Sequence, residues 1–266
     1  MKLFGRKISV RKIPALAGEA LMMIPQSLAF RNPAALWGAY VRRQLPSGGV
    51  VRFRDGMNAW LSDNPHDGIT LMVIFCKREY GMINPGSLVI DIGANIGMFS
   101  LYAVRSGAER LLAFEPNPSS HTILVKNLSQ PSVKTAVSLY QLAVSGAAGE
   151  TVYMPADSSP YNKTINAPTD SSASVAVETT SLDKIVEQCE GRRIDFLKMD
   201  CEGAEWEILT QCSEDALSQV DRIRMEFHPR AGRSKSEIID RLVKCGFQVV
   251  HSQRIIVWLD RKSLLR

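Results

Sequence analysis

Leu88-Val-Ile-Asp-Ile-Gly-Ala-Asn-Ile-Gly-Met98 decides the fold of this 266-residue chain. A short run of apolar, β-branched residues bounded by glycine reads as a buried strand. It carries one carboxylate, Asp91, close to its end, and a glycine turn then opens a helix. Strand, turn and helix make the first half of a nucleotide-binding βα unit. The second strand is Leu111-Leu-Ala-Phe-Glu-Pro116, with Glu115 at its tip, 18 residues after Gly97. That is about the spacing at which a carboxylate accepts bonds from ribose hydroxyls.

The turn narrows the ligand. Gly93 and Gly97 lack a Cβ, so the backbone can bend sharply and pass close to another group. Asn95 stands where a dinucleotide fingerprint has its second glycine, the one that lets the backbone approach a pyrophosphate. Its absence argues for a nucleoside without a diphosphate, which S-adenosylmethionine would satisfy. A nicotinamide-dependent oxidoreductase on the same sheet is the competing reading, and Asn95 speaks against it.

Outward from the turn, the chain divides in two. Residues 1–48 are basic and punctuated by Pro14, Pro25, Pro33 and Pro46, and read as a partly helical N-terminal extension. Residues 49–266 read as one domain. Asp55-Gly56 between alternating runs predicts a hairpin, and 67–80 predicts a helix. Strands are expected at 87–92, 110–115, 137–144, 175–180, 194–199 and 220–227. Helices are expected at 96–106, from Pro118 behind the cap Asn117, at 181–189 and at 204–211. Another runs from the capping pair Ser234 and Glu237 to Cys245. Phe247–Val250 and Ile255–Leu259 suit a C-terminal antiparallel hairpin. This alternation predicts an α/β fold: a mostly parallel, twisted, Rossmann-like sheet with helices on both faces. The stretch 155–174 is poor in large apolar residues. It reads as a substrate-facing lid anchored by Tyr161 or as plain disorder, and its Asn162-Lys-Thr164 sequon carries little weight.

Composition sets outer limits. Apolar residues make up 45% of the chain, enough for a full core, and the net charge is +5. Much of that excess is terminal: Lys2, Arg6, Lys7, Arg11 and Lys12 at one end, Arg254, Arg261, Lys262 and Arg266 at the other. The five cysteines form no Cys-x-x-Cys, so reduced thiols in the cytoplasm are expected and metal binding through sulfur is not. No apolar run reaches the length of a membrane span. The run Ile13–Ile24 is broken by Pro14 and Glu19 and reads as a short amphipathic helix. With its basic flank it leaves room for a peripheral membrane contact.

Four segments together resemble the FkbM family of S-adenosylmethionine-dependent methyltransferases over roughly residues 50–250. They are the turn, Phe114-Glu-Pro-Asn-Pro118, Leu197-Lys-Met-Asp-Cys-Glu-Gly-Ala-Glu205 and Met225-Glu-Phe-His-Pro229, with Thr180-Ser-Leu-Asp183 fitting as well. The resemblance implies the class I methyltransferase fold and methylation of a hydroxyl on a sugar, glycan or natural product. By it, Asp91, Gly93, Asn95 and Gly97 would line the methionine side of the cofactor, with Ala94 among them. Glu115 would hold the ribose, and Asn117 the neighbourhood of the adenine, with Ala143 near it at the tip of the third strand. A nucleic-acid methyltransferase would suit the basic charge. However, the Asn-Pro-Pro-aromatic motif of amine methylation is missing, so no nucleic-acid partner is expected.

Methyl transfer to an alcohol needs in-line alignment and a group to take the proton. The fourth strand ends in Asp200, with Glu202 two residues on, and the fifth ends in Glu226 and His228. In one reading Asp200 or His228 is the general base. In a second, Asp200, Glu226 and His228 ligate magnesium or manganese, which would lower the pKa of the acceptor. The first is preferred, and no metal is expected. In a third, Glu202 merely caps the helix at Ala204 while Glu226 and His228 fix a loop. His66 and Asp67 could reach the acceptor from the preceding segment.

Overall fold

The computed structural model describes residues 2–3, 6–7, 13–42, 48–155, 174–230 and 232–265. A two-residue pair, β1 Lys2–Leu3 and β2 Arg6–Lys7, precedes helices α1 Ile13–Ser27 and α2 Pro33–Arg42. The hairpin expected at Asp55-Gly56 forms from β3 Val50–Arg52 and β4 Asn58–Trp60. Helix α3, His66–Met72, runs into a π-helical turn, Val73–Lys77, that Arg78 ends in the left-handed region. The single helix expected over 67–80 is therefore two pieces. The wider turn buries Ile74, Phe75 and Cys76 together.

The domain centres on seven strands in the order β13-β14-β12-β11-β5-β6-β7. Five are parallel: β5 Leu88–Ile92, β6 Arg110–Phe114, β7 Ala136–Tyr140, β11 Phe196–Met199 and β12 Arg222–Glu226. The C-terminal hairpin of β13 Phe247–Gln253 and β14 Ile256–Arg261 closes the sheet, with β14 inserted antiparallel against β12. Helices α4 Met98–Arg105, α5 Pro118–Leu128, α6 Leu182–Glu187, α7 Glu205–Gln211, α8 Glu214–Ser218 and α9 Lys235–Lys244 follow in chain order. This is the class I methyltransferase architecture expected.

Strand alternation divides the core in two. Val89, Leu111, Ala113 and Phe196 face one cluster, with Phe53, Phe75 and Phe99. Leu88, Ile90, Ile92, Leu112, Phe114, Leu197 and Met199 face the other. The N-terminal segment joins the first cluster through Met23, Phe30 and Leu36, and the Phe30 and Phe53 rings lie 4.7 Å apart. Helix α1 leaves Leu21, Met22 and Ile24 exposed, and Leu28 just beyond it is exposed too. No helix of the described residues is long and apolar enough to cross a membrane.

Two expectations change. The strand expected over 137–144 divides: after β7 the chain turns, and β8 Ala143–Ser145 leaves the main sheet. It pairs with β10 Ser174–Ser181, which also takes β9 Thr151–Pro155, forming a separate three-stranded sheet. Ala143 thus sits on this small sheet rather than at the tip of the third strand, because its backbone bonds go to the Thr179–Ser181 end of β10. Residues 156–173, with Tyr161 and the sequon, lie outside the described residues.

Candidate active site

The turn after β5 is lashed to β6. The N–H groups of Gly93 and Ala94 both donate to Phe114 O at 3.0 Å. Gly93, Asn95 and Gly97 have φ of 74°, 51° and 86°. Glu115 staples the turn to the next loop: Oε2 accepts the Asn95 N–H at 2.7 Å and Oε1 the Asn117 N–H at 2.8 Å. Asn117 Oδ1 in turn caps α5 by accepting from Ser119 and Ser120 N–H. A carboxylate has about four lone-pair sites, so Glu115 keeps capacity for two more donors. Burial lifts its pKa from 4.5 to about 7, against the pull of those two backbone bonds.

The two glycines answer to packing. A Cβ on Gly93 would lie 1.9 Å from Asp200 O, and one on Gly97 would lie 2.7 Å from Leu124 Cδ1. Gly93 therefore lets the β5 turn touch the end of β11, and Gly97 lets the start of α4 touch α5.

A cavity of about 320 Å³ opens over these strand ends. Gly93, Ala94, Asn95, Glu115, Asn117 and Ala143 line it, and so do Asp200, Glu202 and Glu226. His66 and Asp67 also reach it. Asp67 is held by the Ser62 N–H and hydroxyl at 2.7 and 2.6 Å, which makes it an anchor for α3.

Asp91, Gly97 and His228 are not among the residues that line the cavity. Asp91 is fully buried, accepts from Ser100 Oγ at 2.7 Å and pairs with Lys198 Nζ at 3.1 Å. A charge on a central strand is stable only with such a partner, so this carboxylate serves the sheet. Lys198 also donates to Gly93 O at 2.7 Å. Burial alone would lower the Lys198 pKa, but Asp91 and Asp200 turn the shift upward.

Register assembles the far end. Lys198 pairs with Arg224 across β11 and β12. One side-chain repeat further along, Asp200 and Glu226 fall beside each other on the same face. Asp200, Glu226 and His228 each offer a ligand atom within 4.8 Å of the others. The Tyr80 hydroxyl donates to Asp200 Oδ2 at 3.2 Å. Burial raises Asp200, and burial with the neighbouring Asp200 charge raises Glu226 to about 7. His228 Nδ1 meets Glu205 Oε1 at 3.0 Å, and its Nε2 lies 3.5 Å from Glu202. Burial would lower this imidazole, yet Glu205, Glu202 and Asp200 outweigh it and raise it to about 9.

The capping role considered for Glu202 falls elsewhere. The cap of α7 is Ala204, without a side-chain bond. The carboxylate that takes the Cys201 N–H, at 3.0 Å, is Glu205. Glu202 instead sits at φ 54° on the cavity wall.

With this geometry in place, the comparison that decides the family is a match of residues 91–249 to the methyltransferase FkbM domain. The chain belongs to the FkbM methyltransferase family. A hexuronic acid methyltransferase, AglP of Haloferax volcanii, is 30% identical over 138 residues, 52% of this chain and 54% of that protein. Methyltransferase sdnD of Sordaria araneosa is 28% identical over 68% of this chain and 82% of its own length. The antimetabolite synthetase AmbE of Pseudomonas aeruginosa is 27% identical over 84% of this chain, which spans only 12% of that protein. Among solved structures, an FkbM methyltransferase from Methylobacillus flagellatus aligns with a TM-score of 0.47 and 14% identity. That alignment covers 94% of this chain and 59% of the other.

Three site residues escaped the sequence reading. Lys198 carried a signal that could have found it, as the single charge inside the apolar strand Phe196–Met199. A charge there signals a buried partner, and the partner is Asp91 directly across the ladder. Tyr80 and Glu205 gave no comparable local signal. Tyr80 reaches Asp200 from 120 residues away and Glu205 reaches His228 from 23 away.

Proposed function

We propose that the chain is an S-adenosylmethionine-dependent O-methyltransferase whose acceptor is a hydroxyl of a sugar, glycan or natural product. The supporting observation is that Glu115 and the acidic trio Asp200, Glu202 and Glu226 open onto one cavity. A nucleoside held at the first end meets an alcohol held at the second. The cavity falls within the roughly 300–1,000 Å³ of small-molecule sites. The hexuronic acid named for AglP fits the hydroxylated class of acceptor.

When bound, S-adenosylmethionine supplies an electrophilic sulfonium methyl group. The chain's own residues do the rest. Glu115 takes the ribose hydroxyls on its free lone pairs, and the Gly93–Asn95 backbone bounds the methionine side. Asn117 and Ala143 bound the adenine. At the far end the carboxylates hold the acceptor hydroxyl in line and one of them takes its proton, while Asp91 and Gly97 keep the turn in shape. Orientation of this kind is worth several kcal/mol, up to about 7–11. Residues 49–266 carry this reaction, and the N-terminal extension packs against that domain through Met23, Phe30 and Leu36.

The test is calorimetry with S-adenosylmethionine and NAD side by side, followed by transfer of a labelled methyl group to a panel of uronic acids and other polyols. Binding of S-adenosylmethionine without NAD, and label on a hydroxyl, is the expected result. Binding of NAD alone would overturn the reading.

A further inference from the structure

We propose that Asp200, Glu226 and His228 form the binding site of one divalent, oxygen-preferring cation of the magnesium or manganese kind. Their ligand atoms already lie within 4.8 Å of one another. The ligands of an octahedral ion bound at about 2.1 Å stand about 3–4 Å apart, so small side-chain rotations bring all three onto one point. Two carboxylates with one imidazole match that class of ion better than zinc or copper.

Two basic side chains near the cluster have further partners of their own. Lys198 has three protons to give and three oxygens around it: Asp91 Oδ1 at 3.1 Å, Gly93 O at 2.7 Å and Ile92 O at 3.4 Å. Arg224, next along β12, is taken by Asp260 at 2.7 Å. The cavity wall meanwhile gathers the carboxylates of Glu79, Asp200, Glu202 and Glu226.

The histidine is braced as a ligand would be. Glu205 is wholly buried; its Oε1 meets His228 Nδ1 at 3.0 Å, which fixes the ring and makes Nε2, now 3.5 Å from Glu202, the atom that would coordinate. A carboxylate behind the imidazole is the usual orienting partner of a metal-bound histidine. The other oxygen of Glu205 is buried without any hydrogen-bond partner among the described residues. Tyr80 likewise orients Asp200 through Oδ2, leaving Oδ1 to coordinate. Water and the acceptor hydroxyl would complete the shell, a placement that rests on the methyl-transfer reading above.

Manganese is the probe. Its electron paramagnetic resonance signal is followed as the ion is titrated into the full chain. One ion per chain is expected, with binding weakened about tenfold or more in each of Asp200→Asn, Glu226→Gln and His228→Ala. The exposed Glu187→Gln serves as the unchanged control. No saturable binding up to about 1 mM in the unmutated chain overturns the site, whatever the variants do. Equal binding by all the folded variants overturns it as well. S-adenosylmethionine binding is measured on the same samples. If the cofactor binds and manganese does not, only the cation site fails. If manganese binds and the cofactor does not, only the methyl-transfer reading fails.

Discussion

At the tips of β5 and β6 the polar groups are satisfied by backbone close at hand; at the tips of β11 and β12 they are crowded against one another. Glu115 takes the N–H groups of Asn95 and Asn117, both on the loops it closes. Asp200 and Glu226 come from strands linked by a whole helical crossover and are held together by ladder register. Burial and the charge of Asp200 lift Glu226 to about 7. The first region is a preorganised cradle that a ligand can enter with little rearrangement. The second holds an electrostatic tension that a cation, a proton or an acceptor would relieve. Gly93 joins them, since its missing Cβ allows contact with Asp200 O. The Asp91–Lys198 pair joins them too.

Breaking that link should have the largest effect. Lys198→Met leaves the Asp91 charge buried without its partner, at a cost of about 3–5 kcal/mol. The double change Asp91→Leu with Lys198→Met should recover much of it. Urea unfolding of the single and double variants measures both, and a loss below about 1 kcal/mol in the single variant would show that the two regions are not tied through this pair.

Next comes chemistry at the crowded end. Asp200→Asn or Glu226→Gln should lower turnover by about 10²–10⁴ while leaving cofactor affinity near its starting value. Labelled-methyl transfer and calorimetry on the same preparation separate the two. Equal losses in both would merge the regions that the geometry separates.

The converse applies to the cradle. Glu115→Ala should weaken S-adenosylmethionine binding by roughly 2–3 kcal/mol, because two ribose hydroxyls lose a charged acceptor. At saturating cofactor the turnover should change far less. Unchanged affinity would move the ribose elsewhere.

The smallest effect is the pH dependence of the cradle. Burial raises Glu115 from 4.5 to about 7 in the folded chain. A raised carboxyl adds stability below its unfolded value, and that contribution is lost as pH rises through about 7. Cofactor affinity should run the other way. The ribose hydroxyls donate to the ionised form, so binding should tighten as pH rises toward about 7 and weaken up to about tenfold per unit below it. Glu115→Gln should flatten both profiles in thermal denaturation and calorimetry.

The cradle was readable from the chain because its physics is local. Gly93 and Gly97 announce a sharp turn, Asn117-Pro118 a helix start, and Glu115 a strand tip. Asn95, Glu115 and Asn117 meet within two successive βα units, whereas Gly93 also needs the distant Asp200 O and Gly97 the Leu124 side chain. Even so, two roles changed. Asp91 serves Lys198 and Ser100, and the glycines serve close approach of backbone and neighbouring side chains. Periodicity also missed the break between β7 and β8, because nothing in an apolar run says which of two sheets will supply its partner strand.

The far end was legible as four residues at two strand ends, and no further. Sequence by itself determined the α/β class, the order of its strands and helices, the glycine turn and the set Asp200, Glu202, Glu226 and His228. It did so because alternation, capping and turn chemistry act over a few residues. Tertiary structure alone decided that Lys198 answers Asp91, that Tyr80 and Glu205 brace Asp200 and His228, and that Asp200 and Glu226 stand side by side. Those facts depend on the register between strands distant in the chain. Register is set by the packing of whole faces, which no short stretch of sequence contains.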